Sequence, residues 1–244
     1  MDKEKVILVT GGSKRIGADI ARYFHIRGFK VIIHFNKSAQ EAENLKKDLL
    51  SKRKDSCLTV QADFFKENSI NEAVKEILNS TDKLDVLVNN ASSFFSTPIE
   101  TASKEEWSNL LDTNATIPLF LTQAFKPFLE SSNGCIINIS DSQVDSGISQ
   151  YSLYTAAKAA LESLTKSLSK ELAPNIRVNA IAPGIILWPE NDKVSEEVKK
   201  EIINKTALGR MGNPEDIAAA AYLLYKSTYM TGQVLKVDGG RSLF

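Results

Sequence analysis

The 244-residue sequence predicts one α/β domain over residues 1–244, a doubly wound (Rossmann-type) parallel sheet of seven strands with helices on both faces. Three observations carry that expectation. Seven short apolar runs alternate with segments of helical period. The first run leads directly into a glycine loop, "VTGGSKRIG", of the kind that joins strand to helix in nucleotide-binding units. No linker, repeat or low-complexity stretch divides the chain.

Taken in order, "KVILVT" (5–10) precedes a helix over about 15–27, and "KVIIHF" (30–35) precedes the charged helix "AQEAENLKKDLLSKR". "CLTVQAD" precedes "SINEAVKEILNS", and "LDVLVNNA" precedes a long helical stretch interrupted near Thr113. "GCIINIS" leads to a helix carrying Tyr154 and Lys158, "IRVNAIAP" to a looser segment, and "QVLKVDGG" is the last strand. Continuous apolar strands separated by helices belong to a parallel sheet buried on both faces, and right-handed crossovers then leave the doubly wound arrangement. The least regular stretch, 185–212, is expected to be a flap over the substrate.

The glycine loop opens a helix, where backbone N–H groups and the helix dipole favour a pyrophosphate. Gly11, Gly12 and Gly17 permit the turn and close approach, and Lys14 and Arg15 add two cations. An NAD site calls for an acidic residue at the end of the second strand, and none stands between His34 and Gln40. His34, Asn36, Lys37 and Ser38 offer donors and charge for a 2′-phosphate instead, so NADPH/NADP+ is the expected cofactor. Two readings of Asp63 stand: an acceptor for the adenine amino group, or a helix cap.

Tyr154 and Lys158 are four residues apart and share one helix face. A lysine beside a phenol is expected to lower the tyrosine's pKa towards the range of a working general acid. Thirteen residues before Tyr154 stands Asp141, a carboxylate that repels the oxyanion of a carbonyl reduction but suits a C=N substrate, whose nitrogen needs a proton. The alternative is that Asp141 caps the following loop while Ser140 supplies a hydroxyl, against which strand alternation argues.

With "TGGSKRIG", "NNAS" at 89–92, Asn114, "YTAAK" at 154–158, "PG" at 183–184 and "DGG" at 238–240, the chain resembles a short-chain dehydrogenase/reductase along essentially its whole length. Arg15, "NNASSFF" and Asp141 depart from the general pattern, and each resembles the pteridine reductases, bacterial dihydromonapterin reductases included. The resemblance implies Tyr154 as proton donor, Lys158 on the nicotinamide ribose and Asn114 in a water-linked relay. It also implies cofactor contacts at Ile16, Asn90, Ala91, Ser92, Pro183 and Gly184. On the substrate side it implies Arg15 and Ser92 bridging cofactor and pterin, and Phe94 stacked on the pterin; Phe94 as an ordinary core residue is the other reading. Trp188 either lines the far side of the pocket or packs against the flap. The implied activity is hydride transfer from NADPH to a dihydropterin (dihydromonapterin, dihydrobiopterin or dihydrofolate). A 3-oxoacyl or other carbonyl reductase of the same family is the alternative, and a non-catalytic NADP(H) sensor a third. The resemblance further implies a homotetramer with "GGRSLF" near a neighbouring active site.

Composition excludes little else. Thirty basic and thirty acidic residues cancel, which argues against nucleic-acid or anionic-membrane partners and leaves a small molecule. No apolar run approaches the roughly 20 residues of a membrane span. "MDKEKVILVTGG" enters a strand without the apolar stretch of a signal peptide, so the expected compartment is cytoplasmic. Cys57 and Cys135 fit neither a disulfide framework nor a metal site, no metal is expected, and both read as core thiols.

Overall fold

The computed structural model describes residues 4–188 and 195–244. Among them seven strands form one parallel sheet: β1 (Val6–Val9), β2 (Lys30–Phe35), β3 (Cys57–Gln61), β4 (Val86–Asn89), β5 (Cys135–Ile139), β6 (Arg177–Pro183) and β7 (Val234–Val237). Their order is β3-β2-β1-β4-β5-β6-β7. Leu8 of β1 sits opposite both Ile32 of β2 and Leu87 of β4, so β1 lies inside the sheet with apolar neighbours on each side. Such strands are Val/Ile-rich because both of their faces are covered.

Helices α1 (Arg15–His25), α2 (Ala39–Lys52), α3 (Ser69–Leu78), α4 (Lys104–Leu111), α5 (Ile117–Glu130), α6 (Ser152–Glu171), α7 (Glu196–Asn204) and α8 (Pro214–Lys226) connect the strands. One face of the sheet packs Ile7, Val9 and Ile33 against Ile20 and Phe24 of α1, Leu45 and Leu49 of α2 and Ile217 and Leu224 of α8. The other packs Leu8, Ile32 and Ile136 against Ile77 of α3 and Leu121 and Phe125 of α5. Each fully buried aliphatic or aromatic side chain stabilises this arrangement by about 1.5–3 kcal/mol. Cys57 and Cys135 are buried in the strands, and burial pushes both thiols up to about 12. No helix among the described residues is long and apolar enough to cross a membrane.

Local sequence sets the joins. Ser103 and Glu106 close a reciprocal capping box on α4, and Asn213 with Asp216 does the same for α8, whose first residue is Pro214. Between α4 and α5 lies a π-helical turn, Asp112–Thr116. Pro118 has no N–H to give the carbonyl of Asn114 four residues back, so a regular α-helical ladder cannot run through this point. This is the interruption expected near Thr113.

A chain of two polar bonds runs from β4 through β5 to α6. Asn89 Nδ2 donates to Asn138 Oδ1 (2.8 Å), and Asn138 Nδ2 donates to Thr165 Oγ1 of α6 (2.8 Å). All three residues of this link are buried, so α6 is fixed against β5, and through it β4, just below the strand ends. At those ends, where the chain reverses its direction of growth across β1 and β4, a doubly wound sheet has its crevice.

Candidate active site

The loop between β1 and α1 is built for backbone to come close to something else. Gly11 has φ +58, which an L side chain rarely adopts. A Cβ on Gly17 would stand 2.4 Å from the Gly11 carbonyl and 2.6 Å from Asn90 Nδ2. Asn90 Nδ2 donates to the carbonyls of Thr10 (2.9 Å) and Gly11 (3.1 Å), so its side chain braces the loop against the end of β4. The first turn of α1 has neither a side-chain cap nor an acidic residue. An unblocked helix start beside a tight glycine turn fits a pyrophosphate.

His34 corrects an expectation. Its ring is buried, its Nδ1 accepts from the Gly11 amide (3.2 Å), its Nε2 donates to the Ala62 carbonyl (3.1 Å), and it stacks on Phe64 at 4.1 Å. Burial lowers its pKa to about 4. A neutral ring with both nitrogens engaged does not act as a cation for a phosphate; His34 holds the glycine loop to β2 and β3. Asn36, Lys37 and Ser38 follow at the β2 end, with Lys37 exposed and Ser38 preceding α2 without a side-chain cap bond. Asp63 is not a helix cap: α3 begins at Ser69, and Asp63 Oδ1 accepts from the Phe65 amide (3.3 Å) in the turn after β3.

Arg15 occupies a left-handed backbone position, φ 54, at a cost of roughly 1–2 kcal/mol for a residue with a Cβ. Its Nη2 donates to the carbonyls of Trp188 (3.0 Å) and Leu187 (3.4 Å), bridging the glycine loop to the segment beyond β6. The Trp188 ring lies 5.6 Å from Lys199 Nζ of α7, which favours packing on that helix. Residues 189–194 of the expected flap lie outside the described residues. Gly184 follows Pro183 at the β6 end, and a Cβ there would stand 2.6 Å from Asp238 Cα.

The catalytic candidates converge at the ends of β5 and the start of α6. Tyr154 is buried, and its hydroxyl donates to Asp141 Oδ2 at 3.0 Å. Asp141 Oδ1 accepts from the Gln143 amide at 2.9 Å, so both carboxylate oxygens are held. Lys158 is buried, donates to the Ile139 carbonyl at 2.7 Å, and stands 5.8 Å from the centre of the Tyr154 ring. Burial lowers Lys158 to about 8, against the pull of Asp141 and Glu162, so it keeps most of its charge at neutral pH. The expectation that Lys158 lowers the tyrosine is reversed: burial first, then the charge and hydrogen bond of Asp141, push Tyr154 well above its ordinary value. The phenol therefore stays protonated, a donor in waiting.

Ser140 faces the other way. Its hydroxyl donates to Glu162 Oε1 at 2.6 Å, while burial raises the Glu162 carboxyl. Asn114 is almost fully buried, with Nδ2 donating to Leu110 (2.9 Å) and Ser93 (3.1 Å) carbonyls and Oδ1 accepting from Ser92 Oγ (2.7 Å). Its side chain fastens the Ala91–Ser93 loop to the π-helical turn. Phe94 follows that loop, 47% exposed and hence not a core residue. It stands edge-on to Tyr154 (4.8 Å) and stacked on Tyr151 (4.6 Å, 12°). Tyr151 was not singled out from the sequence, although it lies three residues before Tyr154; nor were Gln143 and Arg241, whose side chains join each other at 3.0 Å.

The family model described as enoyl-(acyl carrier protein) reductase matches residues 11–242. The 3-oxoacyl-(acyl-carrier-protein) reductase FabG of Chlamydia muridarum is 37% identical over 240 residues, spanning 97% of this chain and 96% of its own length. The protein of that name from Staphylococcus aureus is 34% identical over 244 residues, 98% and 99% of the two chains. Pteridine reductase 1 of Leishmania tarentolae is 33% identical over 280 residues, 98% and 96% of the two chains.

Proposed function

The chain belongs to the short-chain dehydrogenase/reductase family, and on that premise we propose that it is an NADPH-dependent reductase of a dihydropterin. At the coarser level it is an oxidoreductase using a nicotinamide dinucleotide. The single observation that carries the finer reading is the 3.0 Å bond from the Tyr154 hydroxyl to Asp141, with the Ser140 hydroxyl turned away to Glu162.

The cofactor, when bound, supplies the hydride. The chain's residues would hold it at the glycine loop and the α1 start, with Asn36, Lys37 and Ser38 near a 2′-phosphate and Lys158 towards the ribose. Tyr154 provides a proton kept on its oxygen by burial and by Asp141. Asp141, acceptor-only when ionised, favours positive charge on a substrate nitrogen and opposes an oxyanion. Phe94, partly exposed and backed by Tyr151, offers a flat surface to a heteroaromatic ring. Arg15 begins α1 directly after the glycine loop, and Ser92 follows β4 with its hydroxyl on Asn114; we assign both to the cofactor–pterin boundary.

A second reading has its own support: the 3-oxoacyl-(acyl-carrier-protein) reductases are the more similar relatives, at 37% and 34% against 33%, and overall similarity therefore favours a carbonyl substrate. Whole-chain identity is dominated by scaffold and cofactor site, whereas substrate choice rests on a few side chains. Replacing Asp141 by serine separates the two. We expect kcat/KM for a dihydropterin to fall about 100-fold while that for a 3-oxoacyl thioester is unchanged or rises. An unchanged ratio of the two would remove the role given to the carboxylate.

A further inference from the structure

We propose that Arg241 is a positioning residue that couples the orientation of Asp141 to the seating of α7, a role that rests on the catalytic reading of Asp141 above. Arg241 begins the short 3-10 turn Arg241–Leu243 after β7. That turn is itself anchored, because Asp238 accepts from the Gly240 amide (2.9 Å) and the Ser242 amide (2.8 Å). From this fixed base the guanidinium forks. Nη2 donates to Gln143 Oε1 (3.0 Å), and Nη1 donates to the Ile202 carbonyl (3.0 Å).

The first prong reaches the catalytic carboxylate through one residue: Arg241 holds the Gln143 side chain, and the backbone N–H of Gln143 donates to Asp141 Oδ1 while Asp141 Oδ2 receives the Tyr154 hydroxyl. The second prong caps the last turn of α7, where carbonyls lack helical donors and a cation suits the dipole. α7 has no basic residue in its own last turn and only half-buried side chains such as Ile202 and Ile203, so a point contact of this kind helps to seat it. One planar fork thus joins three elements remote in sequence: the loop after β5, the helix after β6 and the turn after β7. Lysine, with a single nitrogen, does not reproduce that geometry.

The test is a double-mutant cycle on NADPH oxidation, using whichever of a dihydropterin and a 3-oxoacyl thioester the wild-type enzyme turns over. Arg241→Met keeps the apolar stem and removes the fork. We expect it to lower kcat about ten-fold with the NADPH Kd within about two-fold, since a small misplacement of a catalytic group is costly. In an Asp141→Asn background the same change should cost less than about two-fold, because the group it positions is already disabled. Gln143→Ala breaks the link from the other side and leaves the 3-10 turn intact; it should reproduce the kcat loss even if Arg241→Met proves unstable. Arg241→Lys is expected to restore only part of the lost rate.

Equal losses in the two backgrounds, or wild-type kcat in Gln143→Ala, would overturn the positioning role while leaving the catalytic assignment in place. If Asp141→Asn itself retains wild-type rate, the catalytic assignment falls, and the positioning role falls with it.

Discussion

Substitution of Tyr154 by phenylalanine is expected to lower kcat/KM for NADPH-dependent reduction by about 10²–10⁴-fold, the usual worth of a positioned general acid. The phenol is buried between Asp141, Phe94 and Lys158. Its pKa is raised by burial and by the adjacent carboxylate, so at neutral pH it carries a proton and is oriented by a fixed acceptor. Phenylalanine preserves the ring and its edge contact with Phe94 but has nothing to donate. NADPH affinity, followed by nicotinamide fluorescence, should stay within about two-fold, because the glycine loop is untouched. A rate loss below about ten-fold at unchanged affinity would mean that the proton comes from another group.

The second large effect is expected from Gly17→Ala. The new methyl would meet the backbone carbonyl of Gly11 at 2.4 Å and the side-chain amide of Asn90 at 2.6 Å, a side chain already tied to the loop by its own hydrogen bonds. Relief requires moving the turn or breaking the bonds from Asn90 to Thr10 and Gly11. Overpacking of this kind costs about 1–3 kcal/mol, and here it also disturbs the amides proposed to receive the pyrophosphate. We expect the NADPH Kd to rise at least about ten-fold, with a lower melting temperature. Gly28→Ala is the control. Gly28 has φ +90 with nothing within 4 Å of the added atom, so only backbone strain of roughly 1–2 kcal/mol applies and NADPH affinity should hold. Equal affinity in Gly17→Ala and wild type would show that the loop does not carry the cofactor.

The fold was legible because strands buried on both faces are written as unbroken Val/Ile/Leu runs, and the connecting helices keep a different period. "KVILVT" and "GCIINIS" needed no tertiary information. The break near Thr113 was visible as well, and Pro118 supplies its cause. Of the site, the residues close in sequence were the readable ones: Tyr154, Lys158 and Asp141 lie on one strand–loop–helix passage, and the structure brings them together. The inward turn of Ser140 towards Glu162 also follows from alternation along a strand.

What was misread depended on partners from elsewhere in the chain. His34 looked like a phosphate contact because cations and donors follow it. Gly11 and Ala62, from two other connections, use both of its nitrogens. Around Tyr154, the spacing of Lys158 shows a neighbouring charge but not the depth of burial that outweighs it. Tyr151 stacks on Phe94 from 57 residues away, and Arg241 meets Gln143 from 98. Neither pairing leaves a local trace. The contact of the Arg15 guanidinium with the Leu187 and Trp188 carbonyls, more than 170 residues away, likewise leaves no local trace.

The central claim is that the Asp141–Tyr154 pair selects a C=N substrate over a carbonyl. Its most direct test is the initial rate of NADPH oxidation by the wild-type protein on a dihydropterin and on a 3-oxoacyl thioester under one set of conditions. The account predicts kcat/KM at least about 100-fold higher for the dihydropterin, a difference within reach of a site whose buried polar groups match one substrate and not the other. Robust turnover of the thioester with none of the dihydropterin would contradict it.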